Sequence, residues 1–498
     1  MSLLDTMIEI RSNPDLLLCG RRKIYTAVED ITKDNVVDVL NFLITAHISN
    51  LQQEEYLYWY RRGIQPILAR TKQIRPDICN KIVVNNADQI VTFKNGYFLT
   101  AATSYVAKNP DITDQVRQYN DYVRASGNAV ADNLIVDWFH TVGLGVKFVE
   151  PNKEDDERRP FFTYALDPRS AFVAYSLKPG NRPVVGVNIA VMDETVYFDV
   201  ITRDRVFKVK GSMVGMTTIK TPIVGTGVSV EDDKPNLIGE IPIIEYQYDH
   251  NRMSAFESGI PICDEINTLE SNRADGVEQS IQQLFVAVNC NFDDGVTANE
   301  IRESGMLNLK STGENRAYVE LLETSLSQSE TQVSLDSLYD QLLDKVGLPS
   351  IGRNEGGTSD NGSAVYLRSG YSIADTMRRN TEDFFRRSDE QYKQVVLAIL
   401  KRKQFEIAPD ELELVIEPPT MSNLLVKTQS ALNMRELGLA PQIWLERSGL
   451  SNDPQNDLEL SKDYIYRFYD EKEKEVESEG QELYDERQVE ELSAFELD

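Results

Sequence analysis

Hydrophobic positions three or four residues apart mark helices in the middle of the chain. One such stripe, with a gap at Arg273, predicts a first helix (Ile262, Ile266, Leu269, Val277, Ile281 and Leu284). A second stripe opens at Ser327, has Glu330 at capping-box spacing and ends at Gly347 (Leu335, Leu338, Leu342 and Val346). The intervening residues, 285–326, are short, mixed and punctuated by turns. The pattern therefore predicts two helices that flank a small β-rich insert.

A glycine-rich stretch, residues 350–362, separates the second helix from the longest predicted helix. It has no apolar strand before it and no lysine at the start of the following helix, so it does not match a nucleotide-binding loop. A flexible backbone, which glycine permits, is the better interpretation. The long helix is predicted from about Ser363 to Arg402, with a kink at Gly370.

The rest of the chain divides into helical and strand blocks. Helical spacing of apolar residues predicts further helices (34–60, 78–98, 113–141, 422–437, 441–447 and 457–469). Between residues 145 and 244 the period changes to two, which predicts antiparallel strands with turns at 178–181 and 192–194. Residues 211–236 are rich in glycine, threonine and charge and are expected to form an exposed loop. The predicted fold class is α+β.

Composition narrows the class of protein. A chain of 498 residues is expected to form two or more domains. Its net charge of −28 is not typical of a nucleic-acid binder, which would show a basic patch. No membrane span or signal peptide is expected. The four cysteines form no CxxC pair and are expected to be free thiols in a reducing cytoplasm (Cys19, Cys79, Cys263 and Cys290).

Both ends of the chain are expected to be loosely held. Residues 1–33, with basic residues at 21–23, are interpreted as an arm, and residues 470–498 carry thirteen acidic and three basic side chains. For an aromatic run and a histidine, a structural role is the preferred interpretation. The aromatic run 56–60 beside Arg61 and Arg62 is typical of core at a helix end, with base stacking as the alternative, and His140 is expected to be structural.

The order of these elements resembles the portal proteins of tailed bacteriophages, in a long-tailed branch of similar length. The residues that carry the resemblance are 80–91, then 241–246 shortly before 264–271, and the glycine-rich loop leading into 361–364. Thr100 departs from the pattern, since the family often has glycine there. The resemblance extends from about residue 35 to residue 470.

The resemblance implies a portal fold: a mixed helix and antiparallel-sheet wing, a two-helix stem, a small α/β clip, a long kinked helix and a helical crown. The implied domains follow the chain in order (arm 1–33, wing 34–254, first stem helix 255–284, clip 285–326, second stem helix 327–348, tunnel loop 349–363, long wing helix 364–403, crown 404–469 and acidic tail 470–498).

The implied function is a ring of identical subunits, twelve by resemblance, at one capsid vertex of the virion, assembled in the host cytoplasm. The ring would pass double-stranded DNA during packaging and ejection. Its expected partners are the terminase large subunit, a head-completion or adaptor protein, the major capsid protein and scaffold, with no membrane. The tunnel loop would face the channel (Gly352, Arg353, Asn354, Glu355, Gly356, Gly357, Thr358, Ser359, Asp360, Asn361 and Gly362). The clip would supply the docking surface (Asn291, Asp293, Asp294, Asn299, Glu300, Arg302, Lys310, Glu314 and Arg316).

No catalytic motif accompanies this pattern. The sequence has no G-x-x-x-x-G-K-[ST], H-E-x-x-H or G-x-S-x-G, and no cofactor or metal is expected. The acidic pairs 155–156 and 293–294 are interpreted as chance neighbours rather than cation ligands. For the arginines of the long helix, salt bridges between subunits are favoured over DNA contact (Arg368, Arg378, Arg379, Arg386 and Arg387). Two alternatives stay open: another phage ring or tail component, and a nuclease or motor subunit.

Overall fold

The computed structural model confirms an α+β protein with two compact units. It describes residues 3–12, 19–73, 75–154, 156–193, 195–214, 221–223, 228–281, 284–288, 290–292, 309–311, 318–322, 328–350, 370–417, 424–451, 454, 456–462 and 464. Unit 1 contains Met1–Gly96, Asn133–Phe148 and Ala165–Ser388, and unit 2 contains Tyr97–Asp132, Val149–Tyr164 and Asp389–Asp498.

Ten helices and sixteen strands lie along the described part of the chain, with most strands between residues 144 and 247. The helices are α1 Leu3–Ser12, α2 Val36–Arg61, α3 Asn86–Phe98, α4 Thr113–Ala125, α5 Asn128–Val142, α6 Ile260–Ile281, α7 Gln328–Val346, α8 Tyr371–Leu400, α9 Leu424–Glu436 and α10 Pro441–Ser448. The strands are β1 Ile24–Thr26, β2 Ser104–Ala107, β3 Leu144–Pro151, β4 Phe161–Leu166, β5 Ala171–Ser176, β6 Pro183–Met192, β7 Thr195–Thr202, β8 Arg205–Val214, β9 Thr221–Ile223, β10 Ser229–Pro235, β11 Ile243–Gln247, β12 Leu284–Val288, β13 Cys290–Phe292, β14 Leu309–Ser311, β15 Tyr318–Leu322 and β16 Leu412–Val415.

The main sheet of unit 1 has the order β1-β5-β6-β7-β8-β10, with β9 paired to β8. Its pairs are antiparallel except β1 with β5, which is parallel. Alternate residues such as Phe172, Val187 and Phe198 are buried against Leu40 and Leu43 of α2. The period-two pattern therefore identified these strands correctly. Buried and more exposed residues alternate along β7, whereas β5 is buried on both faces, with Ala171 and Val173 in a second core cluster.

The prediction of an exposed loop at 211–236 is wrong for the described residues of that range. β8 continues to Val214, and β9 and β10 add strands at the same side of the sheet. The charges that suggested a loop lie on the solvent face of paired strands: Arg205 donates to both carboxylate oxygens of Asp233 at 2.7 and 2.6 Å. Such charges are typical of an edge strand, which they protect from further pairing.

The expected loose arm at 1–33 is also wrong for its described residues. Arg21 of the basic cluster is fully buried, and β1 begins three residues later. Gly20 has φ of +72°, and a side chain there would lie 1.9 Å from the carbonyl oxygen of Asn251. Only glycine fits this conformation and this close approach. The segment 19–26 is therefore part of the core of unit 1.

Two predicted helices differ from the structure at residues with positive φ. The expected helix 113–141 is two helices, because Gly127 (φ +86°) separates α4 from α5. The expected helix from Ile78 starts only at Asn86, after Asn85 with φ +56°. Gly370 has φ +79°, and the described helix begins one residue later, so the kink predicted there stays a prediction. Residues 351–369 lie outside the described residues.

Unit 2 has its own small core. β2 and β16 pair antiparallel, and the Tyr105 hydroxyl donates to Asp389 at 3.0 Å. The buried Lys393 ammonium donates to the Leu412 carbonyl at 2.9 Å. Helices α9 and α10 confirm two crown-region predictions, and residues 456–462 are helical as expected. The acidic stretch 470–498 lies outside the described residues.

Candidate functional site

Helices α6 and α7 form an antiparallel pair. They share one apolar core, to which Ile266 contributes from α6 and Leu335 and Leu342 from α7. A methyl group on Gly259, just before α6, would lie 2.8 Å from Leu342 near the end of α7. Toward the other end, the Arg273 guanidinium donates to Gln332 at 2.9 Å. The end of α6 therefore lies beside the start of α7.

The insert begins where these two helix ends meet. β12 follows α6 and pairs antiparallel with β15, which precedes α7, with Leu284 opposite Leu322. β13 and β14 form a second antiparallel pair. The described residues of the insert all lie in these four strands. This confirms the sequence prediction of two helices that flank a small β-rich insert.

The structure brings together two of the nine residues predicted for the docking surface. Asn291 of β13 lies directly opposite Lys310 of β14 in the strand register. The other seven lie outside the described residues (Asp293, Asp294, Asn299, Glu300, Arg302, Glu314 and Arg316). The whole predicted channel loop, 352–362, also lies outside them, so its role stays a prediction.

An extended segment, residues 80–84, lies along α6, and we call it the strap. Its alternate amides donate to side chains of α6: Asn80 N to Asp275 at 2.6 Å, Ile82 N to Ser271 at 3.0 Å and Val84 N to Asn267 at 2.9 Å. Two residues of an extended chain rise about 6.6 Å, and four residues of a helix rise about 6.0 Å. The helix side chains therefore match the spacing of the strap amides.

Asp275 is the charged member of this ladder. The Asp275 side chain is 3% exposed. Its carboxylate also lies 2.6 Å from the Lys72 ammonium and 2.9 Å from the Arg70 guanidinium. Burial alone would raise the pKa of Asp275, but the hydrogen bonds from Lys72 and Asn80 and the charge of Arg70 lower it below its usual value. The carboxylate thus joins α6, the strap and residues 70–72.

Sequence reasoning missed this ladder, although both segments are among those that carry the family resemblance. A signal was present: Asn267, Ser271 and Asp275 recur every fourth position on a helix face between buried apolar residues. Polar residues on such a face indicate a polar partner, since buried polar groups are nearly always hydrogen-bonded. The identity of that partner could not be read from α6 alone.

Asp275→Ala is expected to lower the free energy of unfolding by about 1–3 kcal/mol, because it removes a charge-assisted acceptor for a buried amide. Denaturant unfolding at neutral pH measures the difference. The lowered pKa means that this contribution is present above the ordinary carboxylate pKa and is lost as the pH falls through the folded-state value. The difference between wild type and variant should therefore shrink in acid. Glu265→Ala, an exposed site on α6, is the matched control and should change little.

Three of the five predicted arginines of the long helix have partners within α8. Arg378 contacts Asp375 at 3.3 Å and Glu382 at 2.8 Å, and Arg386 contacts Glu382 at 2.6 Å. Arg379 contacts Asp375 at 2.9 Å. These pairs follow helical i,i+3 and i,i+4 spacing. Contacts between subunits or with DNA stay predictions, and Arg368 lies outside the described residues.

The aromatic run at the end of α2 is structural. Tyr56 and Tyr60 are fully buried, and the Tyr60 hydroxyl donates to Asp264 at 2.8 Å. The Arg62 guanidinium lies 4.5 Å from the centre of the Tyr58 ring. These contacts confirm core and helix end as the role of the run.

His140 is also structural, as predicted. Its ring nitrogen Nδ1 lies 2.7 Å from the side-chain oxygen of Asn95. Burial holds the pKa of His140 well below its usual value, so the ring is neutral at physiological pH.

The described residues offer neither a metal-binding cluster nor a membrane-spanning helix. Within that part of the chain, no group of three or more His, Cys, Asp or Glu side chains is placed to hold a metal ion. Asp155, Asp293 and Asp294 of the two acidic pairs lie outside it. The helices that the structure describes include none long and apolar enough to cross a bilayer.

Comparison with known proteins adds one decisive match. The family described as "Phage portal protein, SPP1 Gp6-like" matches residues 40–465. No curated protein matches the chain. One similar solved chain, from "Neck of native GTA particle computed with C12 symmetry", is 14% identical, with a TM-score of 0.40 over 74% of this chain and 91% of that one. Because the family match runs from α2 through the helix pair and its insert to the last described helical residues, this chain belongs to the phage portal protein family.

Proposed function

We propose that the protein forms the portal ring at one vertex of a phage capsid. The ring, of twelve identical subunits, is a passive conduit for double-stranded DNA during packaging and ejection. It is also the platform on which the packaging terminase and then the head-completion protein dock. The major capsid protein and scaffold contact the wing, and assembly takes place in the host cytoplasm.

The observation that carries this proposal is the family match over residues 40–465, together with the helix pair that it includes. α6 and α7 give the antiparallel geometry of a stem, with the insert at one end as a clip. The strap fixes α6 to the α2–α3 connection through three backbone amides. A rigid stem suits a subunit that lines a channel and transmits load without chemistry of its own.

The acidic composition supports a conduit rather than a DNA-binding protein. Each Lys or Arg contact to phosphate adds binding free energy that would resist the movement of DNA. A net charge of −28 keeps such contacts few on average. The arginines of α8 fit this view, since Arg378, Arg379 and Arg386 are each paired with a carboxylate of the same helix.

An enzyme is the alternative from another class. A motor or nuclease subunit would need a phosphate-binding loop with its lysine or a carboxylate cluster for metal. The sequence lacks the loop motif, and ATP hydrolysis is assigned to the terminase. Purified protein should show no ATPase or nuclease activity above a buffer blank with Mg²⁺ present, and robust turnover would favour the alternative.

Lys310→Glu is the variant that tests the docking role of the clip. Lys310 lies opposite Asn291 in the β13–β14 pair, and reversing its charge should weaken binding of the terminase large subunit about tenfold while leaving subunit assembly unchanged. Surface-immobilised protein with terminase as analyte measures the effect. Lys234→Glu, on the edge strand β10, is the matched charge reversal. Equal binding by wild type and Lys310→Glu would remove Lys310 from the docking surface.

A further inference from the structure

A cluster of buried polar side chains lies between α2 and the segment 19–26 in unit 1. His47, Asn50, Gln53 and Glu54 follow one another on the buried face of α2, and Gln53 and Glu54 are each 1% exposed. Asn50 fixes the neighbouring segment, because its side chain accepts from Arg22 N at 2.9 Å and donates to Arg22 O at 2.8 Å. The polar face of α2 therefore meets residues 21–22 inside the core.

Two ion pairs lie in the same region. The Arg21 atom Nη2 lies 2.6 Å from both carboxylate oxygens of Glu257, and Arg252 pairs with Glu245. Arg21 N also donates to the Arg252 carbonyl at 3.1 Å, which places the two arginines side by side. Each guanidinium is thus already matched by one carboxylate.

Several buried atoms of this cluster have no hydrogen-bond partner among the described residues. They include both donors and acceptors (Arg21 Nε, Arg252 Nε, Gln53 Nε2, Gln53 Oε1, Glu54 Oε2 and His47 Nδ1). A buried polar group without a partner costs about 1–3 kcal/mol, so a cluster of them indicates bound water. A cation would leave the donors unsatisfied, whereas water both donates and accepts.

The charged side chains around Glu54 bear on whether its carboxyl group is protonated. The charged groups that act on it are Arg21 and Arg252, which are positive, and Asp167 and Glu245, which are negative. Asp167 is itself held by Arg169 at 2.6 Å, and both other arginines have carboxylate partners. Lys23, half-buried nearby, interacts with Arg252 and Glu245. The main charges around Glu54 are thus two positive and two negative, and each of the two arginines already has a carboxylate partner.

We propose that ordered water fills this cluster and that Glu54 is held there as a neutral carboxylic acid, so that the fold of unit 1 loses stability when Glu54 loses its proton. This goes beyond the portal role and concerns how the stability of unit 1 depends on pH. Two of the nearby groups do not titrate near neutral pH: against the effect of burial, the charge of Glu245 helps to raise the pKa of Arg252, and burial keeps His47 neutral.

The pKa values of Glu54 and His47 give the pH range over which the stability should change. Burial raises the pKa of Glu54 to about 8, with the charges around it nearly balanced, and burial lowers the pKa of His47 to about 4. A group whose pKa is higher in the fold than in the unfolded chain stabilises below the unfolded value and loses that contribution as the pH rises to the folded value. Stability from Glu54 should therefore fall from about pH 5 to about pH 8, opposite to ordinary acid unfolding.

Infrared spectroscopy of the full-length wild type and of Glu54→Gln tests the protonation directly. The wild type should show a carbonyl stretch of a protonated carboxyl at about pH 6 that is missing from Glu54→Gln and disappears from the wild type as the pH passes about 8. Absence of that difference band at about pH 6 would overturn the proposal. If Glu54→Gln does not fold, Asp264→Asn, at another carboxyl group whose pKa burial raises, shows whether the wild-type band belongs to Asp264; loss of the whole band in Asp264→Asn would overturn the proposal.

Stability and direct imaging give two further checks. From about pH 5 to about pH 8 the unfolding equilibrium constant of the wild type should rise at least about tenfold relative to Glu54→Gln, because one pKa unit corresponds to about a factor of ten. Asp38→Asn, an exposed carboxylate on α2, is the control and should follow the wild type. Parallel pH profiles for wild type and Glu54→Gln would contradict the proposal.

A high-resolution map should show water beside Gln53, and a dry void there would contradict the hydrated cluster.

Discussion

Arg21→Ala is expected to lower the free energy of unfolding by about 3–5 kcal/mol, the usual cost of leaving one partner of a buried ion pair alone. The Arg21 and Glu257 side chains are both 0% exposed, and Arg21 Nη1 also donates to the Val142 carbonyl at 2.9 Å. Without the guanidinium, Glu257 becomes a buried charge whose remaining donor among the described residues is Ser254 N, at 2.9 Å. Chemical denaturation followed by intrinsic fluorescence measures the loss.

The neighbouring arginine offers a matched control. Arg22 is exposed and contributes only backbone atoms to the bonds with Asn50, so Arg22→Ala should change stability by less than about 0.5 kcal/mol. Replacing both members of the pair, with Arg21→Met and Glu257→Leu, should recover much of the loss because no charge is left buried. If Arg21→Ala and Arg22→Ala were equally stable, segment 19–26 would not be anchored as described.

Deletion of residues 352–362 is expected to abolish DNA packaging while rings still assemble. The proposed reason is mechanical: a ring of glycine-rich loops follows a moving duplex and retains it without fixed contacts. The helix pair and the core of unit 1 lie outside the deleted segment, so folding and assembly should be preserved. Packaged DNA per particle, measured by nuclease protection in an infection complemented with the variant, should fall to background.

Two controls sharpen the loop experiment. A variant in which the eleven residues become an equally long glycine–serine segment should keep part of the packaging, because the proposal assigns the loop flexibility rather than specific chemistry. Arg353→Ala should have little effect for the same reason. Packaging at the wild-type level by the deletion itself would remove the loop from the mechanism.

The elements that the sequence predicted well have apolar residues at a constant period. The strands from β6 to β8 and the helices α2, α6 and α7 have this period because one side is buried and the other is more exposed. Strand β5 differs, since both of its faces are buried. The helix–insert–helix order was visible for the same reason. This order, with the resemblance that it supported, was enough to identify the family.

The errors came from contacts between residues far apart in the chain. Arg21 has the local sequence of an exposed basic cluster, and only its partner Glu257, which is 236 positions later, shows that it is buried. Asn267, Ser271 and Asp275 are ordinary polar residues until the strap lies beside them. Two further errors have a local cause, a positive φ: Gly127 divides one predicted helix in two, and Asn85 precedes the true start of another. Periodicity records burial of a face but not the partner that covers it.

The proposed function requires that this chain assembles into a ring with a central channel. Negative-stain electron microscopy of the purified protein, with native mass measured on the same sample, shows whether such rings form. We expect rings whose central hole admits a DNA duplex and a mass close to twelve subunits of 56.5 kDa each. A compact dimer, or a closed particle without a channel, would contradict it.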